Sequence, residues 1–174
     1  VYIPASIEEI SGPQTFGSTA LENIEVDEAS EYFRDEDGIL FDKEMTVLYA
    51  YPQKKMENTY YRVPDGVIRI EDNAFWYANI EELELPDSLE EIGETAFFGM
   101  KITDIYIPEN VDSIGEACFF SCKSLNNIEV DEKNDNYEIS NGALIDKENE
   151  CLFAYPMGCT ETDYFVPEGI TRIG

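Results

Sequence analysis

Apolar residues recur along this chain in one phrase: two of them flank a variable position, proline follows, and two more come three residues apart. The phrase reads Tyr2-Ile3-Pro4 with Ile7 and Ile10, Val63-Pro64 with Val67 and Ile70, and Leu83-Glu84-Leu85-Pro86 with Leu89 and Ile92. It returns as Ile105-Tyr106-Ile107-Pro108 with Val111 and Ile114, and as Val166-Pro167 with Ile170 and Ile173. Pro64, Pro86 and Pro108 stand 22 residues apart. A period in the twenties predicts a solenoid, in which each unit buries its apolar face only against its neighbours.

Within a unit, each position has a physical reading. Period two in Leu83-Glu84-Leu85 turns the leucines inward and Glu84 outward. Pro86 lacks the amide that a ladder needs and ends the strand. Leu89 and Ile92 form a second inward pair before Gly93 turns the chain. Thr95-Ala96-Phe97-Phe98 then reads as a short helical turn that carries Phe97 into the core. Asn73-Ala74-Phe75-Trp76 and Ala117-Cys118-Phe119-Phe120 are its equivalents, so Phe75, Phe97 and Phe119 should stack as an aromatic column. The segments around Ile24, Val63, Leu83, Ile105, Ile128 and Val166 are expected to be adjacent parallel strands of one sheet. In the first unit Ser11-Gly12-Pro13-Gln14-Thr15-Phe16 replaces the Gly-x-x-Ala-Phe phrase, which leaves its register open by one residue.

A longer repeat overlies the short one. Asn23-Ile24-Glu25-Val26-Asp27-Glu28 returns 104 residues later as Asn127-Ile128-Glu129-Val130-Asp131-Glu132. The same offset carries Leu48-Tyr49-Ala50-Tyr51-Pro52 onto Leu152-Phe153-Ala154-Tyr155-Pro156, and Gly38 with Asp42-Lys43-Glu44 onto Gly142 with Asp146-Lys147-Glu148. Chance does not hold one offset over so many positions. The stretches from Val26 to Val63 and from Val130 to Val166 exceed the short period. In them, Ile39–Phe41 against Val47–Tyr51, and Ala143–Ile145 against Cys151–Tyr155, read as β-hairpins, each replacing the back of one coil.

With these phrases the chain resembles the BspA-like leucine-rich repeats of bacterial surface proteins. The matching pattern, apolar-x-apolar-Pro-x-x-Val-x-x-Ile-Gly-x-x-Ala-Phe, is best developed at Leu83–Phe97 and Ile105–Phe119. The Ile-Glu-Val-Asp and Gly-x-Leu-x-Asp-Lys units belong to the same resemblance, which spans essentially the whole chain. It implies an α/β solenoid: a right-handed leucine-rich-repeat superhelix with a parallel inner sheet, short helical turns and two β-hairpin insertions. Residues 1–174 would form one domain within a longer repeat array. Family members are commonly secreted or wall-attached and some are adhesins, so the resemblance implies an extracellular or cell-surface location.

Composition narrows the choice of partners. Against 38 Asp and Glu stand 11 Lys and Arg, a net charge of −27. Nucleic acid needs clustered cations, and an anionic membrane surface repels such a chain. No apolar run approaches the roughly 20 residues of a membrane span. The chain opens at Val1-Tyr2-Ile3-Pro4 without a basic segment or cleavage site, so it reads as a mature or excised piece whose targeting signals lie outside it. A monomer is expected.

Candidate chemistry is sparse. The chain has no histidine, which removes histidine-based nucleophilic pairs, the commonest general base and the usual zinc sets. Cys118 aligns with Ala74 and Ala96, and Cys122 with Ala78 and Met100, so both read as small core residues. The spacing of Cys151 and Cys159 allows a disulfide without arguing for one. Nothing singles out an acid pair for glycoside chemistry among 38 carboxylates. No cofactor and no metal site are expected. Calcium is the metal to weigh, because Asp131-Glu132-Lys133-Asn134-Asp135-Asn136 offers hard oxygens, but that stretch lacks the glycine and distal glutamate of an EF-hand loop. A solvated turn is the stronger reading.

The best functional candidate is the row of outward side chains on the inner strands: Tyr2, Glu25, Arg62, Glu84, Tyr106, Glu129 and Phe165. Parallel strands about 4.8 Å apart would align them as a ladder. Aromatics flanked by carboxylates suit a protein or glycan partner, whereas tyrosine also sits on strands for its β-propensity alone. Three functions therefore stand: a non-enzymatic recognition or adhesion module, a structural spacer, and a carbohydrate-active solenoid enzyme.

Overall fold

The computed structural model describes residues 1–11, 15–16, 20–55, 59–160 and 163–174. They form a stack of coils built from short strands and turns. The opening strand of successive coils is β1 (Tyr2–Ile3), β2 (Glu25–Val26), β6 (Tyr60–Arg62), β8 (Glu82–Glu84), β10 (Asp104–Ile107) and β12 (Asn127–Val130). The back strands are β7 (Arg69–Ile70), β9 (Glu91–Ile92), β11 (Ser113–Ile114) and β16 (Arg172–Ile173). Between the second and third coils, β3 (Phe33–Glu36), β4 (Ile39–Asp42) and β5 (Val47–Ala50) form a three-stranded antiparallel insertion. Its duplicate is β13 (Tyr137–Ser140), β14 (Ala143–Asp146) and β15 (Cys151–Ala154). The hairpins stand where the 104-residue offset puts them, each with one more strand than the sequence reading assigned.

In each insertion the last strand serves as the back of its coil. β5 pairs parallel with β7, and the ladder continues through β9 to β11; β15 pairs parallel with β16. The two arms diverge at Asp37-Gly38 and Asn141-Gly142, where both residues of each pair take positive φ. That is the twist a two-residue hairpin loop needs.

The opening strands do not make the single continuous sheet expected. They pair as β1 with β2, β6 with β8 and β10 with β12, all parallel. β10 runs alongside β8, with the Thr103 amide on the Glu81 carbonyl at 3.3 Å. Beyond β2 the row is interrupted, because the hairpin tip supplies the next partner: the Ile24 amide donates to the Gly38 carbonyl at 3.0 Å. A Cβ on Gly38 would fall 1.7 Å from the Asn23 side-chain oxygen, which would have to swing away, and the φ of 74° there favours glycine in its own right. At the second tip Asn141 donates to the Phe165 carbonyl at 3.3 Å, and Val166, expected on a strand, lies outside any strand and is exposed.

Helical turns, and with them the α/β class, are also corrected. No helix occurs among the described residues. In the turn after Glu71, alternate amides bond within the turn and to the next coil. Ala74, Trp76 and Ala78 donate three residues back, while Asn73, Phe75 and Tyr77 donate to the Glu94, Ala96 and Phe98 carbonyls of the next coil. A helix would need every amide directed along its own axis. Positive φ at Asn73, Thr95 and Ala117, and again at Tyr77, Gly99 and Ser121, breaks that run once per coil at each position. Residues 12–14 of the first turn lie outside the described residues, and its register lies outside them as well.

The core follows the sequence reading. Leu83, Leu89, Ile92 and Phe97 are buried, Leu85 is partly buried and Glu84 is exposed. Phe75, Phe97 and Phe119 form the aromatic column at 5.8 Å between successive rings, and Tyr51 extends it to 5.4 Å from Phe75. All four cysteines are free thiols; Cys159 donates to the Asn126 carbonyl at 3.1 Å rather than pairing with Cys151. Burial pushes the Cys118 thiol up strongly and that of Cys122 up to about 11, as expected of packing residues that have lost their nucleophilicity.

Two measurements of unfolding free energy test this arrangement. Phe97→Ala removes a fully buried ring and should cost roughly 3–5 kcal/mol, whereas Phe98→Ala, at a half-buried site, should cost clearly less. Gly115→Ala should also destabilise, although it creates no cavity: the added Cβ would meet the Glu94 backbone nitrogen at 2.3 Å.

Candidate functional site

Strand alternation places side chains two residues apart on the same outer face. On β6 to β12 this gives two rows rather than one. Arg62, Glu84, Tyr106 and Glu129 form the expected row, with Arg62 opposite Glu84 and Tyr106 opposite Glu129. Tyr60, Glu82, Asp104 and Asn127 form a second row, with Tyr60 opposite Glu82 and Asp104 opposite Asn127. The sequence reading missed this second row, though the same period of two would have found it.

The structure brings together only part of the ladder. Arg62, Glu84, Tyr106 and Glu129 lie on neighbouring strands. Tyr2 and Glu25 pair with each other on β1 and β2, on the far side of the first hairpin tip. Phe165 lies beyond the second tip, 80% exposed and in no strand. Tyr106 is the ridge between two shallow grooves of about 330 and 420 Å³; one also holds Tyr60 and Glu82, the other Arg62 and Asp65.

These side chains are tied to one another. The Tyr106 hydroxyl donates to Asp131 Oδ2 at 2.6 Å, and Tyr2 donates to Asp27 Oδ2 at 2.7 Å, the same bond one 104-residue unit earlier. Each carboxylate also accepts an amide of the turn that follows, Lys133 for Asp131 and Ala29 for Asp27. The Arg62 guanidinium lies 3.1 Å from Asp65 and 3.9 Å from Glu84, so it is shared between two carboxylates of its own chain. At this exposure such pairs contribute little stability, but they limit where the side chains can point.

In the acidic turn at residues 131–136, Asp131 and Asn134 already have hydrogen-bond partners within the chain. Asn134 is buried; its Oδ1 accepts the Asn136 and Tyr137 amides, and its amide group donates to the Pro108 and Val111 carbonyls. Among the described residues no three acidic or thiol groups converge in a metal-ligating cluster.

On the opposite edge lies a feature that the sequence reading passed over. The second aromatic of each turn points outward, and the three stack: Trp76 on Phe98 at 4.1 Å and 6°, and Phe98 on Phe120 at 5.5 Å and 28°. Phe120 is 60% exposed. The 22-residue spacing of these residues is as regular as that of the buried column.

Six copies of the BspA type leucine-rich repeat region match residues 48–152. The chain belongs to that family. A leucine-rich repeat protein from Eubacterium ventriosum is 30% identical over 74% of this chain and 35% of its own, with a TM-score of 0.70. The pneumococcal vaccine antigen PcpA and a leucine-rich cell surface protein from Faecalibacterium prausnitzii are each 22% identical over 99% of the chain, with TM-scores of 0.65. At that identity the likeness shows the fold. The chain spans between about a third and a half of the length of these structures. No curated relative matches it. No helix among the described residues is long and apolar enough to cross a membrane.

The Tyr106–Asp131 bond makes a prediction about pH. The bond, helped by partial desolvation, holds the Tyr106 phenol up to about 12, and the same bond keeps the Asp131 carboxyl low. The folded chain thus holds this proton more tightly than the unfolded chain does. On the alkaline side its contribution to stability is complete below pH 10 and is lost as pH rises through about 12. In acid it is lost again, as pH falls through the lowered pKa of the Asp131 carboxyl. Asp131→Asn should return the Tyr106 titration, followed by NMR at the ring Cζ carbon, toward 10. A titration unmoved by that change would mean the bond does not govern the phenol.

Proposed function

We propose that this chain is a non-enzymatic recognition module of a bacterial cell-surface or secreted protein. In this reading it binds a protein or glycan through the face of β6 to β12. The observation that carries it is the row Arg62, Glu84, Tyr106 and Glu129, which is exposed yet fixed in register by the strands. A side chain already held by its neighbours loses little entropy on binding, so an exposed Tyr106 tied to Asp131 suits an anchor residue. Extracellular placement draws its support from the family and from the surface protein of similar fold. Neither a cofactor nor a resident metal enters this proposal, and the chain acts as a monomer in it.

The spacer reading keeps one specific support. Arg62 and Tyr106 both have partners within the chain, which is also what a solvated sheet face without a ligand would show. Panels of host matrix proteins and glycans separate the two. Binding by the wild-type chain should fall at least tenfold, about 1.4 kcal/mol, in the Tyr106→Ala/Arg62→Ala double variant. Its melting temperature should hardly change, and Glu90→Ala, elsewhere on the same coil, should bind normally. A ligand still bound at full strength by the double variant would sink the strand-face proposal, and a chain that binds nothing on either panel would favour the spacer.

A further inference from the structure

The hairpin coils lack the Ala-Phe turn of the regular coils. After β5 the chain passes straight into Tyr51-Pro52, with the Tyr51 amide on the Ala74 carbonyl at 2.7 Å. The row of outward turns therefore has a gap at this coil. The gap is a notch of about 330 Å³ whose walls include Phe16, Tyr49 and Trp76 together with the carboxylates of Glu9, Glu71 and Asp72. No cation is among the described residues that line it. Phe98 covers one face of the Trp76 indole, and Trp76 lines the notch together with residues of the first two coils.

The 104-residue duplication repeats one wall of the notch. In the second copy Phe120, Phe153 and Tyr155 stand in place of Phe16, Tyr49 and Tyr51, and the notch also contains Glu116. Here the chain supplies a cation: Arg172 lines the notch, with its Nη2 3.7 Å from Glu116 Oε1. In this second copy an exposed arginine of the chain thus lies beside a carboxylate at the rim of the rings, while no cation is among the described residues that line the first.

We propose that the notch at Trp76 is a second recognition site, separate from the strand face, and that it takes an arginine side chain from a basic segment of a partner protein. Tryptophan offers the best ring face to a cation, and a guanidinium both stacks on it and is weakly hydrated. Glu71 is shared with Arg69 at 2.9 Å, and Asp72 accepts the Glu94 amide at 2.7 Å. Exposed Glu9 is the carboxylate placed to close on the guest. The charge of −27 would draw a basic segment towards this surface at low ionic strength.

Trp76 is the single tryptophan of the chain, so the fluorescence reports on this side chain and its immediate surroundings. The probe is the peptide acetyl-Gly-Arg-Gly-amide, compared with its neutral citrulline analogue, at low salt. The arginine peptide should change the fluorescence saturably and shift the Trp76 indole N–H resonance, and the citrulline peptide should need about tenfold more to do so. Glu9→Gln should weaken the arginine peptide about threefold or more, and Tyr106→Ala should leave it unchanged. Equal curves for the two peptides, a response that never saturates, or a Glu9→Gln curve superimposable on wild type would each overturn the proposal. Because Tyr106→Ala separates the two surfaces, failure here leaves the strand-face reading standing, and the reverse also holds.

Discussion

The distance between successive coils is set by backbone hydrogen bonds, and everything that stacks along the solenoid inherits it. Parallel strands can sit only about 4.8 Å apart, and the turns obey the same spacing because half of their amides reach the next coil. Gly93 and Gly115 are the price of that approach, since any Cβ there would fall within 2.5 Å of the neighbouring backbone. The buried phenylalanine column and the outer stack of Trp76, Phe98 and Phe120 are two results of one constraint. So are the rows of side chains on the strand face.

Repetition made most of this legible in the chain itself. Pro86 marks the end of a strand, Leu83 and Leu89 the inward face, and the return of Gly38 and Asp42 at Gly142 and Asp146 marks both insertions. The turns were misread because apolar residues spaced along Thr95-Ala96-Phe97-Phe98 fit a helical turn and an extended ladder of turns equally well. What decides between them is where each amide points, and side-chain pattern does not encode that. The unbroken sheet failed for a different reason. The Asp37-Gly38 tip competes for the Ile24 amide, and such a contact depends on how far a hairpin leans, not on any local spacing. On the strand face, the register of Arg62, Glu84, Tyr106 and Glu129 was readable, but their internal partners Asp65 and Asp131 were not.

Duplication at 104 residues preserves devices as well as sequence. Lys43 and Lys147 each reach the carbonyl of a buried polar residue, Ser30 and Asn134, that in turn caps the start of the next strand. Tyr2 and Tyr106 each hold an aspartate of the following coil. Where the copies differ, as at Ser30 against Asn134, the later one gains bonds: Asn134 also donates to the Pro108 and Val111 carbonyls of the preceding coil. The unit therefore carries its own fastenings and does not depend on distant parts of the chain.

The left-handed residues of the turns bear on how such a chain acquires its structure. Asn73, Thr95 and Ala117 adopt a conformation that costs a non-glycine residue roughly 1–2 kcal/mol, and a turn standing alone recovers little of it. Most of the return comes when the adjacent coil supplies carbonyls for the alternate amides. A lone repeat is therefore a poor nucleus, whereas a coil docking on one already wound finds its partners aligned some twenty residues away in sequence. Contacts of such short range are fast to form. The molecule should assemble as a zipper, in which each finished turn is the template for the next.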